Sequence, residues 1–130
     1  MTVRIASISE DQLAVCIKHN LWGANNSLLS KWEKGDILIF KINDELVATA
    51  KVTGKFFLDD KTIWKNDIFY NRIPIEFTAV LSSQKRIPFN GEIKNMFLKE
   101  WGKKYGWVIL NKYPLPEIIA KTILNKFSKK

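Results

Sequence analysis

Trp64 and Phe69 lie five residues apart in Ile63-Trp64-Lys65-Asn66-Asp67-Ile68-Phe69, a polar stretch with no apolar repeat to draw either ring into a core. Trp22 keeps similar company in Asn20-Leu21-Trp22-Gly23-Ala24-Asn25-Asn26, just past the end of a predicted helix. Aromatic rings held on loops suit stacking on a flat, partly charged or methylated ring. Three such walls gain from stacking, roughly 1–3 kcal/mol per base, and from burying a methyl, roughly 0.8 kcal/mol. The polar edge of the base must also be satisfied, because an unpaired buried donor or acceptor costs about 1–3 kcal/mol. Gln12, Asn20, Asn25 and the backbone at Gly23 can supply those partners. The competing reading is that the three rings cap one end of an ordinary core.

Other chemistry is less well founded. Cys16 and His19 are three apart on the same predicted helix, but Cys16 falls on its apolar face, where a thiol is usually inert. His19 is the only histidine and Cys16 the only cysteine, so no Cys/His metal site and no internal disulfide is expected. Asp59-Asp60 with Asp67 reads as a solvated acidic loop rather than a cation site. Trp32, Trp101 and Trp107 follow helix or strand periods and are expected in the core. No catalytic residue, metal or cofactor is therefore assigned.

The elements that must position the three rings follow from periodicity. Val3 to Ile8 reads as a first strand. Ser9-Glu10-Asp11-Gln12 is a capping box, and Leu13, Cys16, Ile17 and Leu21 follow at helical spacing. Leu28, Leu29 and Trp32 predict a short second helix. Ile37-Leu38-Ile39-Phe40 is an apolar run expected to be buried on both faces, with Leu46 to Val52 as its hairpin partner across Asn43-Asp44-Glu45. From Gly54 to Asp67 a long loop is expected. Arg72 to Val80 alternates as a strand, with Pro74 implying an edge or a bulge. Ile87-Pro88-Phe89 predicts a short strand, and Ile93, Met96, Phe97 and Trp101 an amphipathic helix of about ten residues. Tyr105, Trp107 and Ile109 predict a last strand, and Pro114 and Pro116 open a C-terminal helix along Leu115, Ile119, Ile123 and Phe127. Hairpins with helices at each end predict a single α+β domain over residues 1–130, built on a small curved antiparallel β-barrel.

The chain has 130 residues and a net charge of +8. Residues 1–83 hold ten Lys/Arg and ten Asp/Glu, whereas residues 84–130 hold eleven Lys/Arg against Glu92, Glu100 and Glu117. A one-sided basic excess is the footprint of a polyanion binder. Lys85, Arg86, Lys103 and Lys104 are the expected phosphate contacts, while Lys126, Lys129 and Lys130 read as a basic tail. No apolar run reaches the roughly 20 residues of a membrane span and no signal peptide is visible, so no membrane partner and a cytoplasmic location are expected.

Several of these segments resemble a known family. Ser9-Glu10-Asp11-Gln12 followed by Ile17-Lys18-His19-Asn20-Leu21-Trp22 looks like the first helix and first cage tryptophan of YTH domains. Asp36-Ile37-Leu38-Ile39-Phe40-Lys41-Ile42-Asn43 is similar to their central strand. Ile63-Trp64 with Phe69 resembles their second cage tryptophan and third wall. Arg72 to Phe77 and Pro114 to Phe127 fall where their next strand and closing helix lie. EVE domains, which share the PUA-like barrel, offer an Asn-x-Trp-Gly element matched by Asn20-Leu21-Trp22-Gly23.

The resemblance implies a non-catalytic module that cages a flipped-out methylated base, since YTH domains read N6-methyladenine. Trp22, Trp64 and Phe69 would be its walls, Gln12 would face the base edge, and Gly23 would lend a main-chain carbonyl. The third wall is Phe rather than Trp or Leu, Gln stands where Asp or Asn is usual, and the long eukaryotic loops are missing. EVE domains and their relatives include readers of modified cytosine, so 5-methylcytosine ranks second. The implied partner is DNA or RNA carrying a methylated base. PUA-like modules also serve as target-recognition domains of modification-dependent restriction systems, which would add an effector such as an NTPase or nuclease subunit. Trp22→Ala or Trp64→Ala is expected to abolish methyl discrimination with the fold intact. Two alternatives are a general RNA-binding PUA-like domain without methyl preference and a small-molecule or protein-interaction module.

Overall fold

A computed structural model of the chain describes residues 1–65 and 67–130. Its strands are β1 (Val3–Ser7), β2 (Leu21–Ala24), β3 (Ile37–Ile42), β4 (Glu45–Val52), β5 (Phe57–Leu58), β6 (Asn71–Val80) and β7 (Ile87–Pro88). The α-helices are α1 (Glu10–His19), α2 (Glu92–Trp101), α3 (Tyr105–Leu110) and α4 (Glu117–Ser128). The sheet runs in the order β1-β3-β4-β6-β2, with β5 added to β6 and β7 to β4. β1 and β2 stand at the two ends of that order, so the sheet curls without closing. The α+β class is as expected, but the sheet is mixed, because β1 pairs with β3 in parallel. The intervening α1 and β2 form a crossover, which a hairpin cannot replace.

The sheet divides two cores, and β3 serves both. Leu38 and Phe40 face a cluster with Leu13, Cys16, Trp22, Trp32 and Trp64. Ile39 faces a second cluster with Phe89, Phe97, Val108, Ile119 and Ile123, under α2 to α4. The apolar run Ile37 to Phe40 is thus buried on both faces, as its composition requires. The capping box forms as written: Ser9 Oγ accepts from the Gln12 N–H, and Gln12 Oε1 accepts from the Ser9 N–H.

Four local expectations are corrected. Trp22 is in β2, not on a loop: Asn20 caps α1 in the left-handed region (φ 53°) and turns the chain straight into pairing with β6, Trp22 opposite Ile73. The short second helix forms as a 3-10 turn over Ser27–Lys31, whereas the expected long loop from Gly54 is interrupted by β5, which pairs with β6. Pro74 lies inside β6, at neither an edge nor a bulge, where the strand passes from β4, paired up to Ile75, to β2. Tyr105 to Leu110 is a helix rather than a strand. Its inward residues are Tyr105, Val108 and Ile109, the i, i+3, i+4 spacing of a helix, and this turns Trp107 out to 61% exposure. Trp107 is therefore no core residue, whereas Trp32 is buried and Trp101 packs on the second cluster. Among the described residues no helix is long and apolar enough to cross a membrane.

Candidate nucleic-acid interface

β2 supplies one wall and the 59–69 segment the other. Trp22, Gly23, Ala24, Asn25 and Asn26 line a cleft with Trp64 and Phe69 opposite, and Ser7, Gln12, Leu110 and Lys112 complete it. Its volume is about 250 Å³, just below the roughly 300–1,000 Å³ of ordinary small-molecule sites. That suits one base better than a larger ligand. Trp64 and Phe69 meet edge to face, with centroids 5.3 Å apart and planes at 89°. Gly23 is required by this pair. A Cβ there would come within 2.6 Å of Trp64 Cη2 and 2.9 Å of Phe69 Cβ.

The two indoles are more deeply set than loop residues would be. Trp22 is 7% and Trp64 2% exposed. Trp22 leans on Phe40 at 5.5 Å. Burial pushes the Cys16 thiol up to about 11, and the thiol is protonated and shielded at neutral pH.

Arg72, on β6 opposite Gly23, holds the segment that carries Trp64 and Phe69. Its side chain is 1% exposed and stands over the Trp64 ring at 5.1 Å. Nε donates to the Phe69 carbonyl at 3.2 Å, and Nη2 donates to the carbonyls of Ile68 at 3.0 Å and of Lys61. Asp59 completes the set at 3.5 Å. A buried guanidinium needs such partners, and satisfying it here fixes the loop. Phe69 itself has φ 51°, a left-handed conformation that is unusual for a bulky side chain. Asp67 supports it, with Oδ1 accepting from the N–H groups of Ile68 (2.7 Å) and Phe69 (3.5 Å). The Asn25 amide donates to Asp67 Oδ2 at 2.8 Å, tying the two walls together. Asn25 first, then these backbone N–H groups, hold the Asp67 carboxyl below the usual range.

The polar candidates separate. Gln12 lines the cleft with its Oε1 used in the capping box, which leaves Nε2 as its donor. Asn25 and Gly23 line it too. Asn20 does not: it is an exposed helix cap whose carbonyl accepts from Ile75. Lys112 was missed. It follows α3 in the left-handed region (φ 53°), and its ammonium stands 5.6 Å from the centre of the Trp22 ring. Burial lowers its pKa. No sequence period could find it, because the backbone turn after Leu110 aims the side chain.

None of the four expected phosphate contacts lines the cleft. The fork of Arg86 is taken by Glu10, at 2.7 and 2.9 Å, so a free Arg86 is not available. Lys85 is exposed on the connection from β6 to β7, and Lys103 and Lys104 are exposed just before α3. Among the described residues no three His, Cys, Asp or Glu side chains gather as metal ligands; Asp59 and Asp67 serve Arg72 and Asn25 instead.

No family model matches the sequence, and no curated protein matches it. Solved structures do. The YTH domain of Pho92, in complex with m6A, superposes with a TM-score of 0.70 at 16% identity, over 97% of this chain and 82% of that one. The YTH domain of the MRB1 protein of Zygosaccharomyces rouxii, in complex with N6-methyladenosine RNA, gives 0.63 at 14% identity, over 97% and 86%. Rpa0253 from Rhodopseudomonas palustris gives 0.66 at 12% identity, over 98% and 94%. The chain has the fold of YTH domains.

Proposed function

We propose, from a chain with the YTH fold and an aromatic-walled cleft, that it is a non-catalytic reader of a methylated base in nucleic acid. N6-methyladenine is the favoured base and 5-methylcytosine the second. The observation that carries this reading is the bare backbone of Gly23 pressed against the Trp64–Phe69 pair. A side chain there would displace both rings, and a flat base can slide between them and Trp22 with its edge on the Gly23 carbonyl and Gln12 Nε2. Neither the N6–H nor the base edge then lacks a hydrogen-bond partner. Extruding the base costs a few kcal/mol, which stacking on the rings offsets.

Lys112 has a part in entry. Its ammonium stands 5.6 Å from the centre of the Trp22 ring, so an arriving base exchanges a cation–π contact for stacking. The released ammonium is then free for the phosphate of that nucleotide. The neighbouring YTH domains solved with m6A support N6-methyladenine, and the Gln12 amide, a donor toward the base edge, suits an acceptor nitrogen of either base. A place as target-recognition domain beside an NTPase or nuclease subunit belongs to the same proposal.

One observation favours the second reading, a PUA-like RNA-binding domain without methyl preference: Trp22 and Trp64 are buried as deeply as core residues. Fluorescence-polarisation titration separates the two. Matched single- and double-stranded DNA and RNA carrying one N6-methyladenine, one 5-methylcytosine or neither are compared at low salt. A preference of about tenfold, roughly 1.4 kcal/mol, for one methylated probe supports the reader and identifies its base and polymer. Equal affinity for all probes supports the second reading.

A further inference from the structure

α3 carries an apolar surface that runs on beyond the cleft. Trp107 is 61% and Leu110 65% exposed, and at i and i+3 they stand side by side on one face of the helix. Leu110 also lines the cleft, as does Lys112 two residues on. The Trp107 ring therefore begins one helical turn from the cleft rim. Its backbone is held, since the Asn111 side chain donates to the Trp107 carbonyl at 2.9 Å. The chain on either side of it is basic: residues 102–113 contain Lys103, Lys104 and Lys112 and no carboxylate.

We infer that Trp107 and Leu110 form a shelf on which the nucleotide next to the caged base stacks, with Lys103 and Lys104 on the phosphates beyond it. This rests on the reader proposal for its direction, since the strand reaches the shelf from the cleft. The occupant is a single-stranded nucleic acid, on two grounds. An exposed indole with lysines on both sides of it in the chain and no acid matches bases alternating with phosphates, and the surface is continuous with a cleft of base size. A face shared by two copies of this chain would instead bring the same lysines together.

The test uses a single-stranded RNA of about nine nucleotides, within the usual site sizes, carrying one central N6-methyladenine. Its unmethylated twin and the free N6-methyladenosine nucleoside complete the set. Trp107→Ala is expected to weaken both oligonucleotides by a common factor of about ten, with the nucleoside affinity and the thermal midpoint unchanged. Trp107→Phe should recover most of the loss, because stacking needs a ring and not an indole. Wild-type affinity of Trp107→Ala for the oligonucleotides overturns the shelf. So does a loss of self-association in sedimentation with oligonucleotide binding intact, which would mark the face as an interface between copies. Failure of the reader proposal looks different: wild-type protein prefers neither twin, while the Trp107→Ala loss on both still stands.

Discussion

Gly23 decides whether the two aromatic walls can meet the strand. Gly23→Ala places a methyl where Trp64 and Phe69 already are, and overpacking of this kind costs about 1–3 kcal/mol. The expected result is a folded protein with a lowered denaturation midpoint and no methyl preference. Phe69→Ala is the cleaner removal of a wall. Phe69 is only half-buried, so the fold should survive while the methylated-to-plain affinity ratio falls toward one, as read by polarisation. The sequence-based expectation that Trp22→Ala or Trp64→Ala spares the fold does not survive their burial, since emptying such sites costs about 3–5 kcal/mol. Residue identity was nonetheless informative: Trp22, Gly23, Trp64, Phe69, Gln12 and Asn25 all line one cleft, and the sequence singles them out because the aromatics and glycine fall outside any apolar period. Lys112 was not legible there, since its place depends on one left-handed turn. Arg72 was hidden for another reason: in an alternating strand a guanidinium reads as solvent-facing, and here it is buried because loop carbonyls converge on it.

At the scale of elements, Trp64 and the buried Arg72 tie a largely exposed loop to the core. Arg72→Met removes its anchor and leaves the carbonyls of Lys61, Ile68 and Phe69 without their shared donor, a loss of about 3 kcal/mol. Chemical denaturation should show that drop, and the same variant should bind no methylated probe selectively. Asp67 adds a pH dependence. Its folded pKa is lowered by the Asn25 amide and the Ile68 and Phe69 N–H groups. The support it gives is therefore complete above the ordinary aspartate value of about 3.9 and lost as pH falls through the lowered folded value. Methyl preference measured across a pH series should hold down to about pH 4 and disappear below it, and Asp67→Ala should lack part of it at every pH. Strands β3, β4 and β6 and helices α1, α2 and α4 were readable from their periods. α3 was not, because Tyr105, Trp107 and Ile109 mimic alternation while Tyr105, Val108 and Ile109 are the residues that pack. Turning that segment into a helix moved a tryptophan from the expected core to an exposed position one turn from the cleft.

For the whole molecule, the curled sheet keeps two cores apart, one closed by three helices and one that opens at the cleft. The charge excess lies in residues 84–130, where Lys112 stands in the cleft and Arg86 and Lys126 are partly spent on Glu10 and Glu92. Affinity for any oligonucleotide should fall with salt, and Lys112→Gln should lower the slope of log affinity against log salt by about one, with the methyl preference retained. The account stands most directly on whether the cleft between Trp22 and Trp64 is where a methylated base goes. Following the tryptophan indole N–H resonances by NMR while adding N6-methyladenosine, and separately adenosine, answers it. The account predicts that the Trp22 and Trp64 signals shift with the methylated nucleoside and hardly move with the plain one, while Trp32 and Trp101 stay still. Equal shifts with both nucleosides, or shifts confined to other tryptophans, would contradict it.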